Sequence, residues 1–231
     1  MRNRRVGALA VLAFLLVLVS GCQSGSDSSN LPAAPGLLST AAASTRAVTS
    51  LHFTLAVNGT LTSVPVQSAE GDLNAQGQAR GNAKISELGQ LIQVDFVLVD
   101  GSFYLKGLTG GYQKLPSSMA TSVFDPTAIL DPNRGVAKVL GGLGGPKTQA
   151  QEEVDGQQTY RISGTVAKSV VAGLIPGISS DVATQVWVTT DARHLPVRAQ
   201  FTVPGADGSQ GATVDVHISK INQPVTVAAP N

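Results

Sequence analysis

Charged residues are scarce in this chain, and their scarcity limits the partners it can have. They make up 13% of the 231 residues, compared with about 25% in an average soluble domain. The hydrophobic share is 42%, which is enough to form a core and excludes a disordered polyampholyte. The 16 lysines and arginines are spread from Arg2 to Lys220. They form no basic patch, so we expect no nucleic-acid partner.

Cysteine occurs once, and aromatic residues make up only 4% of the chain. A single cysteine excludes an internal disulfide, a CxxC redox pair and every zinc site that needs several cysteines. The chain is instead rich in turn formers, with 25 glycines and 12 prolines. This composition is typical of a fold with many short strands.

Catalytic motifs are also missing. The sequence has no G-x-S-x-G segment, and His52, His194 and His217 have no metal-ligand spacing. We interpret all three histidines as solvated surface residues. Adjacent residues of a strand point to opposite faces, so Glu152 and Glu153 are not expected to act together as an acid/base pair. We interpret them as part of a solvated strand edge. We therefore predict no enzyme, no catalytic residue, no metal and no cofactor.

A glycine-rich run at 141–145 lacks the Lys-Ser/Thr ending of a phosphate-binding loop and leads into Pro146. It is predicted to stop a helix and to form a flexible loop. A mobile flap over the mouth of a cavity is the alternative.

The first 22 residues are typical of an export signal. Three arginines within residues 2–5 precede an apolar run of 14 residues at 6–19, which is shorter than the roughly 20 residues that span a bilayer. Residues 19–22, Val-Ser-Gly-Cys, resemble the lipobox of bacterial lipoproteins. This resemblance implies a signal peptide over residues 1–21, cleavage between Gly21 and Cys22, and acylation of the Cys22 thiol. An ordinary signal peptide with a chance cysteine is the alternative.

Residues 22–36 are rich in serine, glycine, proline and alanine and are predicted to form a lipidated flexible tether. Two or three acyl chains anchor a protein stably, at about 0.8 kcal/mol per buried CH₂. The mature chain has 13 Lys and Arg against 15 Asp and Glu, so charge adds nothing to this attachment. We expect the protein on the outer face of the cell membrane, with residues 37–231 forming a single domain.

Alternating apolar and polar residues predict antiparallel strands over much of this domain. Asn-Gly or Asp-Gly pairs between the alternating segments are signals of chain reversal. They are Asn58-Gly59, Asp100-Gly101, Asp155-Gly156 and Asp207-Gly208. The favoured topology is an antiparallel meander.

Helical spacing of apolar residues predicts one helix within residues 37–51. Asp125-Pro126 and Asp131-Pro132 are typical of helix starts, and 167–174 is a further short candidate, ended by Pro176-Gly177. The strand rows hold many small or β-branched residues and few large ones. Such a lining can leave an apolar void, although a compact core of Val and Leu needs no ligand and is the favoured interpretation at this point.

Four segments, 94–107, 124–140, 155–166 and 185–200, give the sequence a family resemblance. Together with the lipobox at Cys22, they resemble the mycobacterial LppX/LprA/LprF/LprG lipoproteins along nearly the whole mature chain, in order. The resemblance implies an α+β fold, in which a curved antiparallel half-barrel, similar to that of the LolA/LolB carriers, wraps over a few helices and encloses an apolar cavity.

The resemblance further implies a membrane-anchored lipoprotein that binds acylated lipids or glycolipids and helps to transfer them across the cell envelope. The acyl lipid would be cargo, bound without reaction, and a membrane transporter is an implied partner. An adaptor for such a transporter, without carrier activity, is the main alternative; an esterase is a weaker one. Alternation selects the residues that we expect to line the cavity: Phe53, Leu55, Ala83, Ile85, Ile92, Val94, Phe96, Leu98, Ile162, Val186, Val188, Val197 and Phe201.

Overall fold

The computed structural model describes residues 30–61, 65–108, 110–116, 126–174, 178–205 and 211–230. The predicted signal peptide, the Cys22 lipobox and most of the 22–36 tether lie outside the described residues. The predicted turn at Asp207-Gly208 and the pair Pro176-Gly177 lie outside them as well.

Eleven antiparallel strands form one sheet with the order β6-β5-β4-β3-β2-β1-β11-β10-β9-β8-β7. The strands are β1 Ser50–Asn58, β2 Val66–Asn74, β3 Ala79–Glu87, β4 Gln90–Val99, β5 Ser102–Lys106, β6 Gln113–Pro116, β7 Leu143–Val154, β8 Gln157–Val166, β9 Val182–Thr189, β10 Pro196–Val203 and β11 Ala212–Ser219. The predicted meander is confirmed, because almost every strand pairs with its neighbour in the sequence.

The sheet consists of two meanders that meet at a single seam. Strands β1 to β6 form the first and β7 to β11 the second, and β1 pairs with β11 through partners such as Phe53 and Ile218. The two outermost strands, β6 and β7, do not pair with each other, so the sheet stays open. The predicted α+β class with a curved, half-barrel sheet is confirmed.

Two of the predicted turns are tight hairpins. Asp100-Gly101 joins β4 to β5 and Asp155-Gly156 joins β7 to β8, and all four residues have positive φ angles. Asn58-Gly59 ends β1 as predicted, and Gly59 has a φ of +100°. This pair does not form a two-residue hairpin, because β2 begins only at Val66.

Helix α1, Ala34–Arg46, precedes the sheet. Pro35 suits the first turn of a helix, and the alanine-rich sequence that follows has high helix propensity. One face of α1 is buried through residues spaced three or four apart, namely Ala34, Leu37, Leu38, Ala41, Ala42 and Thr45. The helix ends earlier than predicted, since the β-branched Val48 and Thr49 lead directly into β1.

The connection from β6 to β7 supplies the remaining cover of the sheet. It holds a 3₁₀ helix, Pro126–Leu130, and helix α2, Val136–Gly141, which packs against α1. Asp131-Pro132 does not start α2 as predicted. The Asp131 carboxylate instead accepts hydrogen bonds from the backbone N–H groups of Asn133 and Arg134, which makes a turn before the helix.

Helix α2 stops in the glycine run 141–145, as predicted, but the flexible loop expected there was wrong. Leu143 and the following glycines already belong to β7, where Leu143 pairs with Val166. Because Gly145 has a φ of +57° and the register shifts between Gly144 and Lys147, the glycines form an irregular strand start. A last helix, α3, covers Lys168–Val171. None of the helices among the described residues is both long and apolar enough to cross a bilayer.

Candidate functional site

The two faces of the sheet differ in what covers them. The inner face carries the main hydrophobic core together with α1, α2 and the 3₁₀ helix. The outer face carries mostly polar side chains and two small clusters, one of which packs Val97 and Val99 of β4 under Val227 of the C-terminal segment. Within the part of the chain that the structure describes, the large apolar surface available to a ligand is therefore on the inner face.

Glycine allows the 3₁₀ helix and α2 to fold closely against each other above the inner face. A Cβ atom at Gly135 would lie 2.3 Å from the Ile129 carbonyl oxygen and 2.4 Å from that of Ala128. No other residue fits this close approach without movement of the backbone. The resulting pair of short helices presents Ile129, Val139 and Leu140 to the sheet.

An apolar pocket lies between this helical layer and the centre of the sheet. The sheet residues come from the two strands at the seam and from β9 and β10, and the layer residues come from the helices and from Leu174. The lining consists of Phe53, Leu55, Ile129, Val136, Val139, Leu140, Leu174, Val186, Pro196, Ala199, Phe201, Val214, Val216 and Ile218. No side chain in this lining is charged, so the pocket offers dispersion contacts and no reactive group.

The pocket is small in this state, with a volume of about 60 Å³. For comparison, an engineered apolar cavity that binds benzene has a volume of about 150 Å³. An acyl chain is much larger than benzene, so it does not fit unless the helical layer moves away from the sheet. The large enclosed cavity expected from the sequence stays a prediction.

The structure assembles most of the predicted lining residues on the inner face. All of them except Val197 belong to the main core or pack against it. Phe53, Leu55, Val186 and Phe201 line the pocket itself. The others lie to either side of it: Ala83, Ile85, Ile92, Val94, Phe96 and Leu98 on β3 and β4, and Ile162 and Val188 on β8 and β9.

The expected inward orientation of Val197 was wrong. The register of β10 against β9 shifts between Pro196 and Arg198, so that a bulge interrupts the alternation of side chains. Pro196 consequently lines the pocket, while Val197 packs with Val154 and Trp187 in a separate cluster on the outer face. A bulge of this kind leaves no clear signal in the sequence.

Several lining residues were missed by the sequence prediction. Val214, Val216 and Ile218 alternate in β11 as clearly as the predicted residues do, and Ala199 occupies the same row of β10 as Phe201. These could have been found by extending the same rule. Val136, Val139 and Leu140 could not, since nothing in the sequence says which side of a six-residue helix faces the sheet.

The outer face of the second meander carries a network of paired charges. Arg198 Nε donates to Asp215 Oδ1 at 2.9 Å, and a second bond joins the same two side chains. The Arg198 guanidinium also lies 4.6 Å from the centre of the Trp187 ring, whose indole N–H donates to Glu152. Burial alone would raise the pKa of Asp215, but the hydrogen bonds and charge of Arg198, with His217 nearby, hold that pKa below its ordinary value. The hydrogen bond to Asp215 in turn raises the pKa of the Arg198 guanidinium.

This network changes the interpretation of residues that were expected to be solvated. His217 Nδ1 lies 2.6 Å from Asp155 Oδ2, and His52 Nδ1 lies 2.8 Å from Asp72 Oδ1. Glu152 is paired with Trp187 and with Arg161 Nε at 3.2 Å. The His52–Asp72 and Glu152–Arg161 pairs join neighbouring strands, and cross-strand pairs of this type stabilise a sheet. Among the described residues, no cluster of His, Cys, Asp and Glu has the composition of a metal site.

Comparison with known proteins gives a consistent set of relatives. The family described as LppX_LprAFG lipoprotein matches residues 33–227. The "Lipoarabinomannan carrier protein LprG" of Mycobacterium tuberculosis is 32% identical over 232 residues, which cover 98% of this chain and 95% of the relative. The protein of the same name from Mycobacterium leprae is 32% identical over 234 residues, covering 99% and 96%.

Two solved structures have the same architecture. The crystal structure of LprF from Mycobacterium bovis matches with a TM-score of 0.74 and 26% identity, covering 85% of this chain and 96% of that one. The crystal structure of the Mycobacterium tuberculosis lipoprotein LppX matches with a TM-score of 0.64 and 26% identity, covering 84% and 99%.

Proposed function

The chain belongs to the LppX_LprAFG lipoprotein family, and from this we propose that it is a membrane-anchored carrier of acylated lipids or glycolipids. In this proposal Cys22 carries the acyl anchor, and the protein works at the outer face of the cell membrane, where it transfers its cargo through the envelope. The name of the LprG relatives, lipoarabinomannan carrier protein, supports a glycolipid as cargo. An adaptor without carrier activity is less well supported by this name.

The observation that carries the proposal is the apolar pocket between the helical layer and the sheet. Its lining is almost free of polar surface, and the part of the helical layer above it consists of short elements, of which α2 has six residues. A lipid chain that enters between the layers exchanges one apolar environment for another. Passing through water would instead cost about 0.8 kcal/mol per CH₂, or tens of kcal/mol for a diacyl lipid.

Loading therefore requires the helical layer to separate from the sheet. The strands on both sides of the pocket already present an apolar inner face that extends from β4 to β8. We propose that acyl chains occupy this face, with the predicted residues Ala83, Ile85, Ile92, Val94, Phe96, Leu98, Ile162 and Val188 as further contacts. The polar head would remain at the rim, and no residue would react with it.

Mass spectrometry under native conditions tests the carrier proposal. Protein purified from membranes without detergent is expected to carry bound acylated lipid. Ala199→Trp places an indole in the pocket and should remove most of that lipid, whereas Thr202→Trp, on an exposed position of the same strand, should not. Wild-type protein that stays free of lipid after exposure to envelope lipids would contradict the proposal.

A further inference from the structure

The sheet opens between β10 and β11 at one end. Strand β11 runs to Ser219, and its last residues pair with β1, where Ser219 is opposite His52. On its other side, the pairing of β11 with β10 begins only at Arg198 and His217, although β10 itself begins at Pro196. The bulge at the start of β10 thus leaves a gap between the two strands at this end of the described sheet.

A polar pocket of about 260 Å³, which we call the end pocket, lies in this gap. Leu195 and Val197 line it on the β10 side, and residues 218–221 line it on the β11 side. The loop from β9 to β10 forms a third side and is held in place by Asp191, whose carboxylate accepts hydrogen bonds from two backbone N–H groups of the same loop. An engineered cavity that binds benzene has a volume of about 150 Å³, so the end pocket has room for a group larger than a six-membered ring.

The tip of the β7–β8 hairpin forms the outer side of the end pocket. Two strands, β9 and β10, separate β8 from β11 in the sheet, yet Asp155 Oδ2 in the hairpin turn lies 2.6 Å from His217 Nδ1 on β11. Val154, next to this turn, packs in one cluster with Val197 of β10. The hairpin therefore bends across the outer face of the sheet and brings Gln157 into the lining of the end pocket.

The end pocket carries an excess of positive charge. Arg193 and Lys220 line it, together with the carboxylate of Asp191. That carboxylate is already paired, with Arg193 at 3.6 Å and with the Thr189 hydroxyl at 3.0 Å, whereas Lys220 Nζ makes no ion pair with any residue that the structure describes. Guanidinium and ammonium groups are the side chains that proteins use to bind phosphate. The amide of Gln223 also lines the pocket and can bond to hydroxyl groups.

Apolar side chains connect the end pocket to the apolar pocket of the inner face. Leu195, Ile218 and Ile221 line both the end pocket and a narrow apolar space of about 10 Å³. That space in turn shares Val136, Pro196 and Ile218 with the apolar pocket. The three spaces therefore follow one another from polar to apolar through the gap between β10 and β11. An amphiphile is the kind of molecule whose two parts match this order.

We propose that the end pocket binds the head group of the carried lipid, and that this head group bears a phosphate. The proposal rests on the carrier function proposed above and specifies where the head group is bound. Arg193 and Lys220 bind the phosphate oxygens, and the acyl chains enter the apolar pocket past Ile218. Because both cations are exposed, water and salt weaken their contacts. The acyl chains therefore supply most of the affinity, and the end pocket selects among lipids.

Photochemical cross-linking locates the head group. The full chain is loaded with a phosphatidylethanolamine that carries a diazirine on its head group, irradiated, digested and analysed by mass spectrometry. We expect labelled peptides from the β9–β10 loop, residues 189–195, and from residues 219–223. Labels found mainly elsewhere, for example on β6 or β7, would overturn the end pocket as the head-group site. The same lipid with the diazirine at the end of an acyl chain should label the inner face, and a failure there would count against the carrier function itself.

Removal of the two charges tests the selection of phosphate. The double variant Arg193→Gln, Lys220→Gln should bind dipalmitoyl-phosphatidylglycerol about tenfold more weakly than the wild type, because charge-assisted hydrogen bonds are lost. Its affinity for dipalmitoylglycerol, which has the same chains and no phosphate, should stay unchanged. The double variant Lys84→Gln, Lys114→Gln removes as much charge from exposed positions on β3 and β6 and should affect neither lipid.

Displacement of a fluorescent fatty acid measures these affinities. An unchanged affinity of the Arg193→Gln, Lys220→Gln variant for phosphatidylglycerol, or an equal loss for both lipids, would overturn the phosphate site. Binding of dipalmitoylglycerol by the wild type reports on the carrier function separately, so a failure of the head-group site is distinguishable from a failure of the carrier function.

Discussion

Among single side chains, Asp215 shows how the outer face of the sheet is stabilised. Its carboxylate bonds to Arg198, which also stacks on Trp187, and Gln200 lies at 3.4 Å from the same carboxylate. Both charged side chains are mostly buried, with 27% of Arg198 and 17% of Asp215 exposed. Removing one partner leaves the other charge poorly solvated, and that loss usually exceeds the net strength of the pair.

We predict that Asp215→Asn lowers the free energy of unfolding by about 2 kcal/mol at neutral pH. The folded-state pKa of Asp215 lies below its ordinary value of 3.8. Its contribution is therefore fully present at neutral pH and is lost as the pH falls through the folded pKa. Denaturant unfolding at several pH values measures this contribution. The difference in the free energy of unfolding between Asp215→Asn and the wild type should disappear below about pH 4. Glu87→Gln, at an exposed position, is the control. A difference in the free energy of unfolding that does not depend on pH would contradict the stabilising role of the ionised Asp215 carboxylate.

At the level of whole strands, two glycines let the first meander pack its aromatic residues. Phe53, Gly71, Gly81 and Phe96 follow one another across β1, β2, β3 and β4 in a single row of the inner face. A Cβ atom at Gly81 would lie 2.0 Å from the Glu70 carbonyl oxygen and 2.9 Å from Cζ of Phe96. The glycines thus provide the space that the two buried phenylalanine rings require.

Gly81→Ala is expected to destabilise the protein by about 1–3 kcal/mol, because backbone and ring must both move. The same substitution at Gly36 should have the opposite effect. Gly36 lies in α1 with no atom within 4 Å of its would-be Cβ, so alanine there should stabilise the helix by about 0.5–1 kcal/mol. Thermal unfolding of the two variants measures both changes, and equal shifts in the same direction would refute this account.

The strands and their turns could be predicted largely from the sequence, since period-two alternation and Asp-Gly pairs are local signals. Asp100-Gly101 and Asp155-Gly156 were located in this way. The turn at Leu88-Gly89 could not be, because its first residue contradicts the usual chemistry of such turns.

The candidate site was harder to predict than the strands that form it. The inward row of the sheet follows from alternation, but the bulge at Pro196 to Arg198 shifts Val197 to the other face. Gly144 pairs with Thr165 of β8 as part of β7, although the local sequence favours a loop. In each case, pairing with a neighbouring strand overrides the local preference.

In the molecule as a whole, a continuous sheet lies under a helical layer of small pieces. Strand pairing holds the sheet together, whereas α2 and the 3₁₀ helix are bound to it mainly by apolar contacts around the pocket. Elements of this kind open at a lower free energy than the central strands do. The pocket volume of about 60 Å³ makes such opening a requirement for binding a lipid chain.

Amide hydrogen exchange should therefore separate the two layers. Val139, Leu140 and Gly142 are expected to exchange through local opening, with much lower protection than Phe53 or Ile218 at the β1–β11 seam. Bound lipid should change the exchange of α2 and leave the seam unaffected. Equal protection of helix and seam would mean that the layers open only by complete unfolding, and loading by separation of the layers would then be excluded.

The seam has a consequence for how the protein is made. Phe53 and Ile218 are partners in the sheet but are synthesised almost at opposite ends of the domain. Until the last strand has left the ribosome, β1 presents a row of unsatisfied N–H and C=O groups, which can pair with any other extended chain. Closing so long a loop is slow. A newly synthesised chain that lacks only its C-terminal strand would therefore leave β1, at the centre of the sheet, as an unpaired and aggregation-prone strand.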